Sequence, residues 1–146
     1  MKGVKEMKGK SWQELYEIAL ATLNPKWISP FIEVGGVASA ILTEAGNVYK
    51  GICIDTASSL GMCAERNAIA NMITNDESKI TKLVCVFWDG RIVSPCGACR
   101  EYLMQLHKDA PEMEILVNLD TMTTVKLKEL VPDWWGTENM ENDDIA

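Results

Sequence analysis

The sequence predicts an α/β domain built on a mixed β-sheet, and three observations support this prediction. Two β-rich segments, residues 37–43 and 48–54, flank the segment EAGN, whose Gly46 and Asn47 favour a hairpin turn. Further along, helical and apolar β-rich segments alternate twice, which is typical of right-handed crossovers in a parallel part of a sheet. Finally, 47% of the residues are hydrophobic and 24% are charged, as in proteins with one packed core.

The first predicted element is a helix over residues 11–24. In its opening Ser-x-x-Glu motif, Ser11 and Glu14 can each bind the other's free backbone amide, and the helix stops before Pro25. The hairpin follows, and then come a helix, a strand, a helix, a strand and a short helix, which we place at residues 63–74, 82–88, 94–107, 113–119 and 127–131. A hairpin followed by these crossovers predicts a mixed sheet in an α/β sandwich.

Length and charge limit the function classes. The 146 residues suit a single domain over residues 1–146, with flexible tails at 1–10 and 137–146. The net charge of -7 argues against nucleic acid and anionic membrane surfaces as partners, because those are bound by clustered lysine and arginine. No apolar stretch approaches the length of a signal peptide core or a membrane span, so we expect a cytoplasmic protein.

Three of the five cysteines lie where predicted helices begin, which suits a metal site better than a set of disulfides. Cys96 and Cys99 are three residues apart and point to one side of a first helical turn. That pair alone is equally compatible with a redox motif. Cys63 favours the metal site over the redox motif, because a helix N-terminus stabilises a thiolate. Parallel crossovers also bring helix N-termini to one edge of the sheet, where the three sulfurs can meet.

Three thiolates with an open fourth position are the arrangement of a catalytic zinc site. The alternative is a structural zinc whose fourth ligand is Cys53, Cys85 or His107. His107 lies roughly 16 Å along the helix from Cys96, too far to reach the same ion. Cys53 is harder to exclude, and both it and Cys85 are also explained as small buried side chains in strands.

Two charged residues, Glu65 and Arg66, follow Cys63 after a single alanine. Glu65 shares a helix face with apolar Ile69 and Met72, where a carboxylate is costly unless it has a task such as carrying protons. The alternative is an exposed first-turn glutamate that complements the helix dipole. Arg66 can donate hydrogen bonds to a thiolate and offset the net -1 charge of zinc with three thiolates, or it can be a surface arginine.

The segments CAER at 63–66 and SPCGACR at 94–100 resemble the two zinc motifs of the cytidine deaminase superfamily. The resemblance extends from about residue 37 to residue 135. It is strongest to the small homotetrameric branch, which includes free cytidine deaminases and blasticidin-S deaminases. GNVYKG, VASAILT and LKELVPDWW are similar to segments of that branch. The implied fold is a cytidine-deaminase-like three-layer α/β/α sandwich with a mixed five-stranded sheet.

The resemblance also implies an activity. Cys63, Cys96 and Cys99 would hold one Zn²⁺ per subunit, Arg66 would support them, and Glu65 would shuttle protons. The implied reaction is the hydrolytic deamination of cytidine, deoxycytidine or a related cytosine nucleoside with release of ammonia, as in pyrimidine salvage. The implied assembly is a homotetramer that binds a small aminopyrimidine nucleoside.

One segment departs from the family pattern. Where cytidine deaminases carry Asn-x-Glu for the ribose, this chain has Cys53-Ile54-Asp55. Asp55 could bind a sugar hydroxyl, bind a cationic group of the substrate, or cap a turn. Further predicted substrate contacts are Cys53, Ala64, Ser94, Trp134 and Trp135, although the two tryptophans could equally be core or interface residues. Deamination of blasticidin S, or a zinc scaffold without catalysis, remain as alternatives.

Overall fold

The computed structural model describes residues 9–142, and the predicted tail residues 1–8 and 143–146 lie outside this range. The helices are α1 Trp12–Thr22, α2 Ala64–Thr74, α3 Gly97–Met104, α4 Leu127–Leu130 and α5 Thr137–Glu141. The strands are β1 Lys26–Ser29, β2 Ile32–Thr43, β3 Val48–Thr56, β4 Ile80–Phe87, β5 Glu114–Asn118 and β6 Thr123–Lys126. No helix within residues 9–142 is both long enough and apolar enough to span a bilayer.

The strands form one mixed sheet around β2. Strand β3 pairs antiparallel with β2 over residues 32–42 of β2. Strand β1 pairs antiparallel with residues 32–34 of β2, and β4 pairs antiparallel with residues 37–43. Strand β5 runs parallel to β4, and β6 closes that side as an antiparallel edge strand. Because β3 and β4 both run opposite to β2, the helices that follow these two strands begin at the same end of the sheet.

Helices cover both faces of the sheet. On one face, Leu15 and Ala19 of α1 pack against Ala40, Val84 and Leu116. On the other face, helices α2 and α3 pack a larger cluster onto the sheet, built from Ile41, Ala68, Ile69, Met72, Leu83, Leu103 and Ile115. The predicted three-layer sandwich is therefore confirmed.

The structure refines the predicted elements. The Ser11–Glu14 capping box is present, and the four long strands and four of the helices lie where the sequence places them. The sheet has six strands where five were expected. Strands β1 and β6 have only four residues each, too few for a periodic pattern to show in the sequence. Within the second predicted tail, residues 137–141 form the short helix α5.

Helix α2 lies unusually close to strand β3. Asn67 and Asn71 donate side-chain hydrogen bonds to the carbonyl oxygens of Ile52 and Lys50 at 2.6 and 2.9 Å. Between them, Gly51 leaves no room for a side chain, because a Cβ there would lie 2.4 Å from the Ala68 amide nitrogen. These contacts hold the first two turns of α2 against the sheet.

Candidate metal centre and active-site cavity

Two of the three candidate ligands occupy equivalent positions. Cys63 is the N-cap residue of α2 and Cys96 is the N-cap residue of α3, and both have extended backbone angles. Neither side chain caps its own helix, so both sulfurs are free to bind something else. Cys99 follows in the first turn of α3 and is completely buried. The two helices therefore begin at the same edge of the sheet, as the sequence predicts.

The three sulfurs meet at one point. The Sγ atoms of Cys63, Cys96 and Cys99 all lie within 4.8 Å of one another, and Cys63 and Cys96 are 3.6 Å apart. Three thiolates on a tetrahedral zinc ion lie roughly 3.8 Å apart, given zinc–sulfur bonds of about 2.3 Å. The spacing and the soft donor set both fit zinc, and a third sulfur distinguishes the cluster from a simple redox pair.

Among residues 9–142, no fourth histidine, cysteine or carboxylate joins this group. The Cys53 sulfur instead accepts a hydrogen bond from the Val37 amide at 3.2 Å. His107 accepts one from the amide of Asp109 at 3.0 Å. Three protein ligands with an accessible fourth position match a catalytic zinc site better than a structural one.

The surroundings of the sulfurs affect their protonation. Burial would raise the pKa of Cys96, but hydrogen bonds from the Cys99 backbone, from the Cys63 and Cys99 side chains and from the Ala98 backbone together lower it. Burial, followed by the charge of Glu65, raises the pKa of Cys99. Arg66 places Nη2 3.7 Å from the Cys63 sulfur, and its buried Nε has no partner in the described residues. The guanidinium thus supplies positive charge where thiolates would gather.

Glu65 is 4% exposed, at the first turn of α2. Its Oε2 atom accepts a hydrogen bond from the Cys99 sulfur at 3.4 Å. The interpretation of Glu65 as an exposed first-turn residue is therefore wrong. A buried carboxylate beside three thiols can exchange protons with a molecule that binds at the open side of the cluster.

A cavity of about 390 Å³ opens onto this cluster. Four of the predicted substrate contacts line it, namely Cys53, Asp55, Ala64 and Ser94, together with Glu65 and Arg66. The volume is that of a small-molecule pocket.

Other lining residues were not anticipated from the sequence, notably Val37, Met62, Phe87 and Val93. Val37 and Phe87 lie opposite each other across β2 and β4, and apolar strand residues carry no signal that separates a pocket wall from core. The guanidinium of Arg91 lies 4.9 Å from the centre of the Phe87 ring. Phe87 therefore makes a cation–π contact at the edge of the cavity.

Trp134 and Trp135 lie outside this cavity. Both indole nitrogens donate to the carboxylate of Glu101, at 2.7 and 2.6 Å. These hydrogen bonds lower the pKa of Glu101. Trp135 remains 71% exposed. Contact of these tryptophans with a substrate in a neighbouring subunit stays a prediction.

The chain was compared with known proteins. Residues 11–112 match the family model for the cytidine and deoxycytidylate deaminase zinc-binding region. A cytidine deaminase of Halalkalibacterium halodurans is 32% identical over 73% of this chain and 81% of its own length. A blasticidin-S deaminase of Bacillus cereus is 28% identical over 66% of this chain and 74% of its own length. The crystal structure of cytidine deaminase from Mycobacterium tuberculosis superposes with a TM-score of 0.72 at 25% identity, covering 87% of this chain and 98% of that one.

These similarities cover both zinc motifs and most of the fold, and they agree with the geometry of the sulfur cluster. The prediction of one zinc site per chain, formed by Cys63, Cys96 and Cys99, is supported by the family match and by the cluster itself. The prediction of an enzyme of this hydrolase class is likewise confirmed. The chain belongs to the cytidine and deoxycytidylate deaminase family.

Proposed function

We propose that this protein catalyses the hydrolytic deamination of an aminopyrimidine nucleoside, with cytidine and deoxycytidine as the leading substrates. The observation that carries the proposal is the position of buried Glu65, beside the three-sulfur cluster and in the wall of the 390 Å³ cavity. Oxygen from water would replace the 4-amino group of the ring, so that the products are the uracil nucleoside and ammonia.

The residues of the chain have distinct tasks in this proposal. Cys63, Cys96 and Cys99 would hold the metal, and a zinc ion bound there would supply a Lewis acid that makes water nucleophilic at neutral pH. Glu65 would accept one proton of the attacking water and donate it to N3 of the ring, while the water oxygen bonds to C4. It would then take the remaining proton of that oxygen and pass it to the 4-amino group, so that the C4–N bond breaks and ammonia leaves as the C4 carbonyl forms.

The cavity wall has apolar surface that would suit a flat ring. Val37, Phe87 and Val93 provide apolar surface close to Glu65. Arg66 remains beside the Cys63 sulfur, where it offsets the negative charge of the ligands. Cys53 and Asp55 lie along the cavity on β3, where the sugar or another substituent of the ring would extend.

A second candidate substrate is a nucleoside that carries a cationic substituent, as blasticidin S does. Asp55 and Glu33 lie directly opposite each other on β3 and β2, and both side chains are exposed. Asp55 also lines the cavity, and two neighbouring carboxylates attract a cation. The similarity to a blasticidin-S deaminase of Bacillus cereus supports this candidate.

We further propose the homotetramer and the cytoplasmic, pyrimidine-salvage role that the resemblance implies. Several large apolar side chains are exposed on the described chain, including Trp27, Phe31, Leu60 and Trp88. Single exposed apolar residues are common, but several aromatic ones on a small domain suit burial between subunits. The oligomeric state stays a prediction.

A substrate screen tests the proposed function. Ammonia release is measured with cytidine, deoxycytidine, cytosine and blasticidin S, using wild-type protein and the Glu65→Gln variant. We expect turnover of at least one nucleoside and a loss of roughly 100-fold or more in kcat for the variant, because proton transfer by a positioned side chain contributes on that scale. Equal turnover by the variant would exclude Glu65 as the proton carrier. Absence of ammonia from every compound would favour a zinc scaffold without catalysis.

A further inference from the structure

Strand β2 is interrupted by a β-bulge where it passes the active-site cavity. Val34 pairs with Ile54, and Ala38 pairs with Ile52. Four steps along β2 therefore match two steps along β3, and residues 35–37, the β2 bulge, lie opposite a single residue of β3. On its other edge, β2 exchanges β1 for β4 at the same place. Bulges are common beside active sites, where they redirect a side chain.

The β2 bulge moves one side chain from beneath helix α2 into the cavity. If the register of residues 32–34 continued, Val37 would lie opposite Gly51, which packs against the backbone of α2. In the structure, Ser39 takes that position. Val37 is displaced by two residues, or roughly 7 Å along the strand, and lines the cavity beside Phe87, its partner on β4. The bulge therefore supplies part of the cavity wall.

Two contacts hold the β2 bulge, one at each end. At its start, the Asn24 amide donates to the Gly35 carbonyl oxygen at 3.1 Å. Gly35 has a φ of +81°, and a Cβ there would collide with the Asn24 carbonyl group, so glycine is required. At its end, the Val37 amide donates to the Cys53 sulfur at 3.2 Å. Between them, no atom of the described chain lies within 4 Å of a Cβ built on Gly36. On the β3 side, Val37 is therefore held by the Cys53 sulfur.

The side chain of Cys53 suits this contact. Cys53 is half-buried in β3 and lines the same cavity as Val37. A backbone amide at a bulge is left out of the regular ladder and needs an acceptor, and a cysteine sulfur is a weak one. A sulfur that accepts from the Val37 amide can affect substrate choice through the cavity wall without binding the substrate itself.

We propose that Cys53 is a positioning residue whose sulfur holds the β2 bulge, so that the Val37 side chain forms the wall against which the pyrimidine ring packs. The role of that wall rests on the proposed function. This assignment differs from the sequence-based prediction that Cys53 contacts the substrate directly. It also differs from a cysteine that only fills space in a strand. The three explanations predict different results when Cys53 and Val37 are changed separately and together.

Amide hydrogen exchange in the zinc-loaded protein tests the contact without any substrate. We expect the Val37 amide of Cys53→Ala to exchange about fivefold faster than in wild type, relative to the amides of residues 38–42, because it loses its acceptor. Cys53→Ser keeps an acceptor and should retain most of the protection. The matched control is Ile54→Val, at the next half-buried position of β3 but on its opposite face. This control should leave the exchange rate of Val37 unchanged. Equal exchange in Cys53→Ala and wild type overturns the proposal.

A double-mutant cycle tests the consequence for ring binding. We expect Val37→Ala and Cys53→Ala each to raise KM for cytidine about fivefold with little change in kcat, because neither touches Glu65 or the three-sulfur cluster. Independent effects would multiply to roughly 25-fold in the double variant, whereas action through Val37 keeps the double variant near the value of Val37→Ala alone. Cys53→Ser should recover most of KM. Effects that multiply would assign a direct substrate contact to Cys53 and overturn the proposal, as would an unchanged KM in Cys53→Ala.

The two tests separate this proposal from the proposed function. If cytidine is deaminated but the exchange of the Val37 amide does not respond to Cys53→Ala, the proposal fails and the proposed function stands. If every nucleoside in the substrate screen is refused but the exchange does respond, the contact between Cys53 and the β2 bulge is supported and the proposed function fails.

Discussion

Asp55 and Glu33 are two exposed carboxylates that lie directly opposite each other on β3 and β2. Like charges directly opposite each other on paired strands destabilise a sheet by roughly 0.2–1 kcal/mol. Trp27 on β1 lies opposite Glu33 in turn, so an aromatic ring and two carboxylates form one row across three strands. All three side chains are exposed, and Asp55 also lines the active-site cavity. An organic cation is the ligand chemistry that such a row fits, because carboxylates and an indole face both attract it.

The contribution of this row to substrate choice is testable by neutralising it. In the Asp55→Asn/Glu33→Gln double variant we expect KM for blasticidin S to rise about tenfold, since roughly 1.4 kcal/mol is lost with charge-assisted contacts. KM for neutral cytidine should change much less. The control is Glu17→Gln, which removes an exposed carboxylate on α1. A parallel rise in KM for both substrates would show that Asp55 binds a group common to both, such as a sugar hydroxyl.

At the scale of elements, the site depends on how closely α2 approaches β3. Cys63 is the N-cap residue of α2 and Glu65 lies in its first turn, and the first two turns are held by close backbone contacts and by two asparagine side chains. A Cβ at Gly51 would lie 2.5 Å from the Ala64 carbonyl oxygen. Backbone atoms cannot rotate away as a flexible side chain can, so any side chain at this position displaces the helix.

Gly51→Ala therefore tests whether the zinc site depends on this contact. We expect the substitution to lower the free energy of unfolding by about 1–3 kcal/mol, as for overpacking elsewhere, and to weaken zinc binding because Cys63 moves with α2. Chemical denaturation and a competitive zinc titration measure the two effects. Gly36→Ala is the control, because a Cβ there would have no atom within 4 Å. Zinc affinity equal to that of wild type in Gly51→Ala would contradict the role assigned to the contact.

At the scale of the whole molecule, the sequence predicts the layers better than the edges. Amphipathic and apolar periods in the long elements predict the sandwich, and the Cys63, Cys96 and Cys99 spacing predicts the sulfur cluster, because both signals are local. Strands β1 and β6 are defined by their neighbours rather than by their own four residues. The walls of the cavity, such as Phe87, depend on which strand face is left uncovered, and that is a property of the assembled fold.

Zinc should stabilise the whole domain, since its three ligands join α2 to α3 across a long stretch of sequence. A ligand at about 1,000 times its Kd stabilises a fold by roughly 4 kcal/mol, which for a domain of this size corresponds to a rise in Tm of about 10 °C. We expect a strong chelator to remove this increment, as measured by calorimetry.

The rise in Tm caused by zinc should become smaller as the pH falls from 8 to below 6, because protons compete with zinc for the three thiolates. The effect has this sign because the free ligands bind more protons than the loaded ones, so acid favours release of the metal. Cys96→Ser should abolish the difference between loaded and chelated protein, whereas Cys53→Ser, which changes a cysteine outside the ligand set, should preserve it. A Tm that is independent of chelator and pH would mean that the sulfur cluster does not contribute zinc-linked stability to this fold.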